Sequence, residues 1–105
     1  TENDRIRRLV EPMAPSIGAR IEALGQLHEA GIPTWAFIAP ILPLDAGRLH
    51  ALLAPVVDRV MTSAMNHYDI GGGHLRAVGL GVVLTRGFAS TVKARLREVF
   101  GEMMA

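Results

Sequence analysis

An apolar run held between prolines constrains the fold of this chain more than any other feature. Residues 34–39 are almost entirely hydrophobic, Pro33 stands directly before them, and Pro40 and Pro43 follow closely. An unbroken apolar run of this length is typical of a strand in a parallel sheet, and it predicts that both faces of the sheet are covered. Parallel α/β sheets bind ligands beyond the carboxyl ends of their strands, so the proline-bracketed end is a candidate for ligand contact.

Helical patterns alternate with the apolar runs. Residues 17–30 carry apolar side chains at helical spacing, Ser16 is a suitable N-cap, and Gly31 is a suitable residue to end the helix. The same reasoning predicts a short helix before this one, capped by Asn3 or Asp4, and the strand at 34–39 after it. A helix capped by Asp45 should follow and end near Ala54, before Pro55, and a second strand is predicted at 60–65. The rest of the chain is predicted as a glycine-rich turn at 71–73, an ambiguous stretch at 77–84 and a terminal helix from Phe88. This order predicts an α/β fold of about two to three βα units, in which helices flank a small parallel sheet.

The composition limits the classes of function. The 105 residues are half hydrophobic, which favours a packed core and predicts a single domain over residues 1–105. The absence of cysteine excludes disulfides, thiolate zinc sites and an iron–sulfur cluster held by this chain. The net charge is +1, so there is no global electrostatic case for binding nucleic acid or a membrane. No signal peptide or membrane span is visible, and a cytoplasmic location is expected.

No catalytic or metal-ligating residue is predicted from the motifs. Gly79-Leu80-Gly81 begins like a dinucleotide-binding loop, but Leu84 stands where the third glycine would be needed. No Gly-x-Ser-x-Gly motif supports nucleophilic catalysis. The histidines lack metal-ligand spacing on one element; they are His28, His50, His67 and His74. His28 and His50 are expected to be packed or half-exposed on their helices.

Two polar positions lie where a parallel sheet would place a ligand. Asn66 and His67 follow the second predicted strand directly, beside Tyr68 and Asp69. The carboxyl end of a parallel strand is the usual position of a binding residue. Asn66 and His67 are therefore candidate site residues, against the simpler interpretation of a polar loop.

Two groups of basic residues lie on predicted amphipathic helices. They are Arg5, Arg7 and Arg8 in the first helix and Lys93, Arg95 and Arg97 in the last. A solvated outer face is the simpler interpretation of both groups. Contact with phosphate would require the two groups to converge in space.

Four motifs follow one another in the first 45 residues: Arg8-Leu9-Val10-Glu11-Pro12-Met13-Ala14-Pro15-Ser16, Arg20-Ile21-Glu22-Ala23-Leu24, Leu27-His28-Glu29-Ala30-Gly31-Ile32-Pro33 and Ala39-Pro40-Ile41-Leu42-Pro43. Together they resemble motifs of radical S-adenosylmethionine (radical SAM) proteins, in particular the spore photoproduct lyase-like branch known as DNA repair photolyases. The similarity covers residues 4–45. The order and spacing of these motifs are more specific than any one of them.

The resemblance implies a fragment of a partial parallel (β/α) barrel, namely the C-terminal half of a TIM-like barrel in a longer parent protein. In that family a Cys-x-x-x-Cys-x-x-Cys loop holds a [4Fe–4S] cluster, and the cluster cleaves S-adenosylmethionine to a radical that abstracts hydrogen from the substrate. This chain has no cysteine, so the loop is expected upstream in the parent, and the isolated chain is expected to be inactive. The resemblance implies that Ala39 and Pro40, with Asn66 and His67 as weaker candidates, contact the adenosyl group.

The expected partner is the rest of the parent barrel, and exposed sheet edges would favour self-association of the isolated chain. DNA repair is one possible activity of the parent. Two alternatives remain open from the residues. One is an autonomous small α/β binding or interaction module, and the other is a nucleic-acid-binding piece that uses the two basic groups.

Overall fold

The computed structural model describes residues 1–63 and 68–104, with the side chains of 68–72 excluded. Helices alternate with two strands within these residues. The elements in chain order are α1 (Asp4–Val10), α2 (Ile17–Glu29), β1 (Trp35–Ile38), α3 (Ala46–Leu53), β2 (Arg59–Thr62), α4 (Tyr68–Ala77), a 3₁₀ helix (Gly81–Leu84), α5 (Phe88–Phe100) and a second 3₁₀ helix (Gly101–Met103). The mixed α/β class predicted from the sequence is confirmed at this level.

The first three helices begin at side chains that the sequence predicted as caps. Asn3, Ser16 and Asp45 each accept a hydrogen bond from a backbone N–H in the first turn of the helix that follows. Gly31 follows α2 with a φ of 77°, which glycine adopts without the steric cost that a Cβ would bring. The third helix ends at Leu53, ahead of Pro55, as predicted.

The two strands form a parallel pair, as the sequence predicted. Trp35 lies opposite Arg59 and Ile38 lies opposite Thr62, with α3 connecting the two strands. The second strand begins one residue earlier than predicted and ends at Thr62, and positions 64–67 lie outside the described residues. Met104, which follows the second 3₁₀ helix, makes a parallel bridge with Val60 at the other edge of β2. One edge of this small sheet is therefore partly covered by the chain itself.

The prediction that both faces of the sheet are covered is wrong. Ile38 and Val60 are buried, whereas the side chains on the other face stay exposed: Trp35 is 57% exposed, Phe37 65% and Met61 37%. Helices pack on the first face only, and the burial alternates along each strand as in a one-sided sheet. An unbroken apolar run was therefore not a sufficient sign of two-sided burial.

The core lies between the covered face of the sheet and helices α3 and α5. Its most completely buried side chains are Ile41, Leu96 and Val60. A second apolar cluster joins the middle of the chain to the 3₁₀ helix and consists of Leu42, Leu75, Leu80 and Val83. Helix α2 has no fully buried residue, although Ile21 and Leu24 pack against the main cluster. This helix is the least covered of those that flank the strands.

The chain between the sheet and the last helix departs from the sequence prediction. Gly71–Gly73 was expected to be a turn, but it lies inside α4. Three glycines weaken a helix by about 1 kcal/mol each, and the burial of Leu75 at 2% exposure opposes that cost. The ambiguous stretch at 77–84 forms a 3₁₀ helix over Gly81–Leu84 and adds no third strand. The terminal helix from Phe88 is confirmed.

Two negative findings hold for the described residues. No helix among them combines the length and apolar character needed to cross a bilayer. No three side chains of the His, Cys, Asp and Glu types come together there as a group that could hold a metal ion.

Candidate functional site

A cavity lies beside β1, whose outer edge has no strand partner among the described residues. Its volume is about 270 Å³, and all four residues of β1 border it. Helices α1 and α2 form the opposite wall, with Ile21 and Leu24 among its apolar lining and Arg7, Glu11 and Arg20 as its charged groups. The cavity therefore combines an apolar wall, two guanidinium groups and one carboxylate.

Arg7 enters the wall of the cavity from α1 and is almost completely buried, with a side-chain exposure of 9%. Its Nε lies 2.8 Å from Oδ1 of Asp4, and its Nη1 donates to the carbonyl oxygen of Ala14 at 2.9 Å. The prediction that all three arginines of the first helix lie on a solvated face is thus wrong for Arg7. A buried guanidinium needs such partners, because an unpaired charge in this position would lose its hydration.

Asp4 connects the first two helices. Its Oδ1 accepts from the backbone N–H of Ile17 at 3.0 Å, as well as from Arg7. The Ile17 hydrogen bond, followed by that from Arg7, lowers the pKa of the Asp4 carboxyl below its ordinary value of 3.8. The positive charge at the start of α2 favours a carboxylate there as well. Asp4 therefore fixes the wall of the cavity and does not itself line it.

Glu11 and Arg20 form a second, weaker ion pair at the rim of the cavity. Nη2 of Arg20 lies 3.3 Å from Oε2 of Glu11, and the two side chains are 42% and 50% exposed. Exposed pairs of this kind contribute little to stability, typically about 0–1 kcal/mol. Both groups are therefore free to exchange partners with a molecule that enters the cavity.

The predicted site residues Ala39 and Pro40 both border the cavity at the carboxyl end of β1. Ala39 is exposed and Pro40 is half-buried, and the peptide bond between them is cis. The other two candidates, Asn66 and His67, lie outside the described residues, so their position stays a prediction. Ala39 and Pro40 therefore line the same cavity as the charged groups, of which only Arg7 belongs to a basic group named from the sequence.

One contact in the wall of the cavity, that between Asp4 and Arg7, could be predicted from the sequence. Asp4 and Arg7 are three positions apart on one helix, the spacing at which opposite charges meet. Arg20 stands in the first turn of α2, close to the loop that carries Glu11. Nothing in the spacing of Glu11 and Arg20, however, predicts that both border the same cavity as β1.

Two of the three described histidines, His50 and His74, make contacts within the fold. His50 is half-buried and packs edge-to-face on Phe100 with ring centroids 5.1 Å apart, in agreement with the prediction. His28 is exposed on α2. Nε2 of His74 lies 2.9 Å from the carbonyl oxygen of Leu9, which links α4 to α1. In the described part of the chain the cavity offers binding contacts rather than a nucleophile with a general base or a metal-ligand set.

The similarity of this chain to known proteins is short. A stretch of 38 residues is 47% identical to an uncharacterized protein of Methanocaldococcus jannaschii, and it makes up 36% of this chain and 15% of that protein. The match thus covers far less than two thirds of the relative, and it does not assign the chain to a family. No protein-family model matches the chain, and no solved structure matches it significantly.

Proposed function

We propose that this chain is the C-terminal part of a radical SAM enzyme of the spore photoproduct lyase-like branch, where it supplies two strands and their helices to a partial parallel barrel. The motifs of residues 4–45 support this proposal through their order and spacing. The matched stretch of the archaeal relative, at 15% of that protein, also belongs to a longer polypeptide. In the parent protein this chain would form part of the wall around the reaction chamber.

The observation that carries the proposal is the one-sided burial of the parallel pair. Helices pack on the face that holds Ile38 and Val60, whereas Trp35, Phe37 and Met61 on the other face remain exposed. A (β/α) barrel has this layering, with helices outside and the inner strand face turned toward the barrel interior. Exposed aromatic and sulfur-containing side chains are therefore accounted for if other strands close the barrel around them.

The role proposed for this chain is binding rather than catalysis. Neither Ala39 nor Pro40 carries a titratable side chain. Both would contact the adenosyl group of S-adenosylmethionine at the carboxyl end of β1. The cluster cysteines would come from the upstream part of the parent, since this chain contains none. The isolated chain is accordingly expected to lack activity.

The experiment starts from the complete reading frame that contains this sequence. The parent should carry a Cys-x-x-x-Cys-x-x-Cys motif upstream, bind one [4Fe–4S] cluster after anaerobic reconstitution, and release 5′-deoxyadenosine from S-adenosylmethionine when it is reduced. The 105-residue chain, treated in the same way, should do neither. A complete reading frame without the three cysteines, or a reconstituted protein that leaves S-adenosylmethionine intact, would contradict the proposal.

A pair of variants tests the adenosyl contact in the parent. Ala39→Trp places a bulky side chain at the exposed carboxyl end of β1, and Ala51→Trp makes the same change at an exposed position of α3. A loss of about 1.4 kcal/mol of binding free energy corresponds to a tenfold weaker affinity, and we expect at least that loss for Ala39→Trp with an unchanged iron content. Equal affinities of the two variants would remove Ala39 from the proposed site.

The cavity supports a second candidate function, an autonomous small binding module. Arg20, whose side chain is 42% exposed, would offer donors to an anionic group, and the apolar wall would contact the rest of the ligand. The test is whether the 105-residue chain unfolds cooperatively and whether an Arg20→Ala variant loses affinity for small carboxylates. The nucleic-acid alternative has less support, because Arg7 is committed to Asp4 and Ala14 and only Arg5 and Arg8 of its group are exposed.

A further inference from the structure

Helix α4 is built from two unlike halves. Its first half contains three consecutive glycines, Gly71, Gly72 and Gly73, whereas its second half contains His74 and Leu75. A glycine lowers the equilibrium constant for helix formation about fivefold relative to alanine, so the three together lower it by a factor on the order of 100. The first half is therefore the weaker part of the helix.

Several contacts hold the second half of α4 in place. Leu75 is buried in the second apolar cluster, and Nε2 of His74 lies 2.9 Å from the carbonyl oxygen of Leu9 in α1. The backbone N–H of Leu80 donates to the carbonyl oxygen of Leu75 at 2.7 Å, and that of Val78 donates to His74 at 3.1 Å, which closes the end of the helix. These contacts use no atom of residues 68–73, so they persist when those residues unwind.

The glycine at position 73 is not required by the packing of the described residues. A Cβ placed there would meet none of their atoms within 4 Å, and Gly73 is helical without a positive φ. Gly79, by contrast, has a φ of 82°, a conformation that favours glycine. The cost of Gly73 to the helix is thus not offset by a close approach or a special backbone conformation at this position.

The weak half of α4 follows the carboxyl end of β2. The strand ends at Thr62 and the helix begins at Tyr68. Ligands of parallel α/β sheets bind beyond this end of the strands. A residue spans about 3.3 Å in an extended chain and about 1.5 Å in a helix, so unwinding residues 68–73 lengthens this part of the chain by about 10 Å.

We infer that α4 contains a hinge at Gly73, where residues 68–73 unwind as a unit while the second half stays attached to α1 and to the 3₁₀ helix at Gly81–Leu84. The change adds length to the chain at the ligand-binding end of the sheet without unfolding the core. This inference goes beyond the proposed function and does not depend on it, because it requires neither the iron–sulfur cluster nor S-adenosylmethionine.

Amide hydrogen exchange in the wild type and in a Gly73→Ala variant tests the hinge at single residues. The amides of His74 and Leu75 donate within the helix to the carbonyls of residues 70 and 71, so unwinding exposes them. The amides of Val78 and Leu80 keep their partners in the second half. After correction for intrinsic rates, His74 and Leu75 should exchange at least about tenfold faster than Val78 and Leu80. Gly73→Ala should slow the first two about fivefold and leave the other two unchanged.

Gly18→Ala is the matched control. A Cβ at Gly18 of α2 also meets no described atom within 4 Å, and this variant should leave the exchange of all four α4 amides unchanged. Equal exchange of the four amides in the wild type would overturn the inference, since α4 would then open as one unit. A Gly73→Ala variant that slows all four amides equally would overturn it as well. If the 105-residue chain does not fold, the same amides in the parent protein decide between these outcomes.

Discussion

The Oδ1 atom of Asp4 lies 2.8 Å from Nε of Arg7, and this contact organises one wall of the cavity. The same oxygen accepts from the backbone of Ile17, and Arg7 in turn donates to the backbone of Ala14. Two side chains thus connect α1, the loop that follows it and the start of α2. Because Arg7 borders the cavity, the shape of the cavity depends on this connection.

Loss of the Arg7 side chain should destabilise the chain. Arg7→Ala removes a buried side chain that donates to the Asp4 carboxylate and the Ala14 carbonyl, and hydrogen bonds that involve a charged group contribute about 1.5–3 kcal/mol. Arg8→Ala removes the same charge from an exposed position of α1 and should change the free energy of unfolding by less than about 0.5 kcal/mol. Urea denaturation of both variants measures the difference. Equal effects would show that Arg7 acts only through net charge.

The Asp4 carboxylate should make stability dependent on acid pH. Folding lowers its pKa below 3.8, so the folded state favours the ionised form. That stabilisation is present above the unfolded pKa and is lost as the pH falls through the folded pKa. Asp4→Asn should therefore be less stable than the wild type near neutrality, and the difference should shrink toward zero below about pH 4.

Denaturation midpoints measured across this pH range provide the test. Glu22→Gln, which removes an exposed carboxylate on α2, is the control and should keep a nearly constant difference from the wild type. A difference between wild type and Asp4→Asn that does not change with pH would mean that the hydrogen bonds, rather than the charge, account for the effect.

The local structure of this chain follows largely from its sequence. Ser16 and Asp45 offer oxygens at the start of apolar periodic segments, and Pro55 cannot continue a helix, so these helix limits were predictable. The terminal helix was predicted from the spacing of its buried residues, which include Val92, Leu96 and Phe100. Each of these signals acts over a few neighbouring residues.

Features that depend on distant contacts were less predictable. The sequence of β1 does not predict whether Phe37 is buried under a helix or exposed to solvent, because that depends on which elements pack around the sheet. The glycine run in α4 predicts a turn, because the intrinsic preference of glycine opposes a helix, yet the burial of Leu75 favours the helix. The cavity is formed by residues from α1, α2 and β1, and no local pattern encodes it.

Thr34 should contribute to the alignment of the two strands. Its N–H donates to Oδ2 of Asp58 at 2.8 Å and its hydroxyl donates to the carbonyl oxygen of Val56 at 2.6 Å, while the side chain is buried. Thr34→Val removes the hydroxyl donor and should lower the free energy of unfolding by about 1–3 kcal/mol. Thr85→Val removes an exposed hydroxyl that donates to Val82 over a similar distance, and it should cost less. A smaller effect of Thr34→Val than of Thr85→Val would contradict this role.

The main core should depend strongly on Leu96, which is fully buried on α5. Leu96→Ala removes packed apolar volume and should cost about 2–5 kcal/mol. Leu27→Ala makes the same chemical change at a position of α2 that is 45% exposed, and it should cost well under half as much. Thermal and chemical denaturation of both variants tests the comparison. A similar loss of unfolding free energy in both variants would mean that Leu27 contributes more to core packing than its exposure indicates.

The uncovered sheet face should promote self-association of the isolated chain. Trp35, Phe37 and Met61 expose apolar surface beside the outer edge of β1, which no strand of the described residues pairs with, and such edges are prone to pair with one another. Phe37→Lys should therefore reduce the association of the chain, because a charged side chain on the open face disfavours contact between two sheets.

Met13→Lys is the matched control for this last prediction. It also replaces an exposed apolar side chain by lysine and raises the net charge equally, but Met13 lies in the loop between α1 and α2 and is 95% exposed. Sedimentation velocity over a range of concentrations should show less association for Phe37→Lys and no change for Met13→Lys. An equal decrease in both variants would attribute association to net charge, and no decrease in Phe37→Lys would mean that the open face does not mediate it. A decrease confined to Phe37→Lys would instead locate the contact on the side of the sheet that the parent barrel is proposed to enclose.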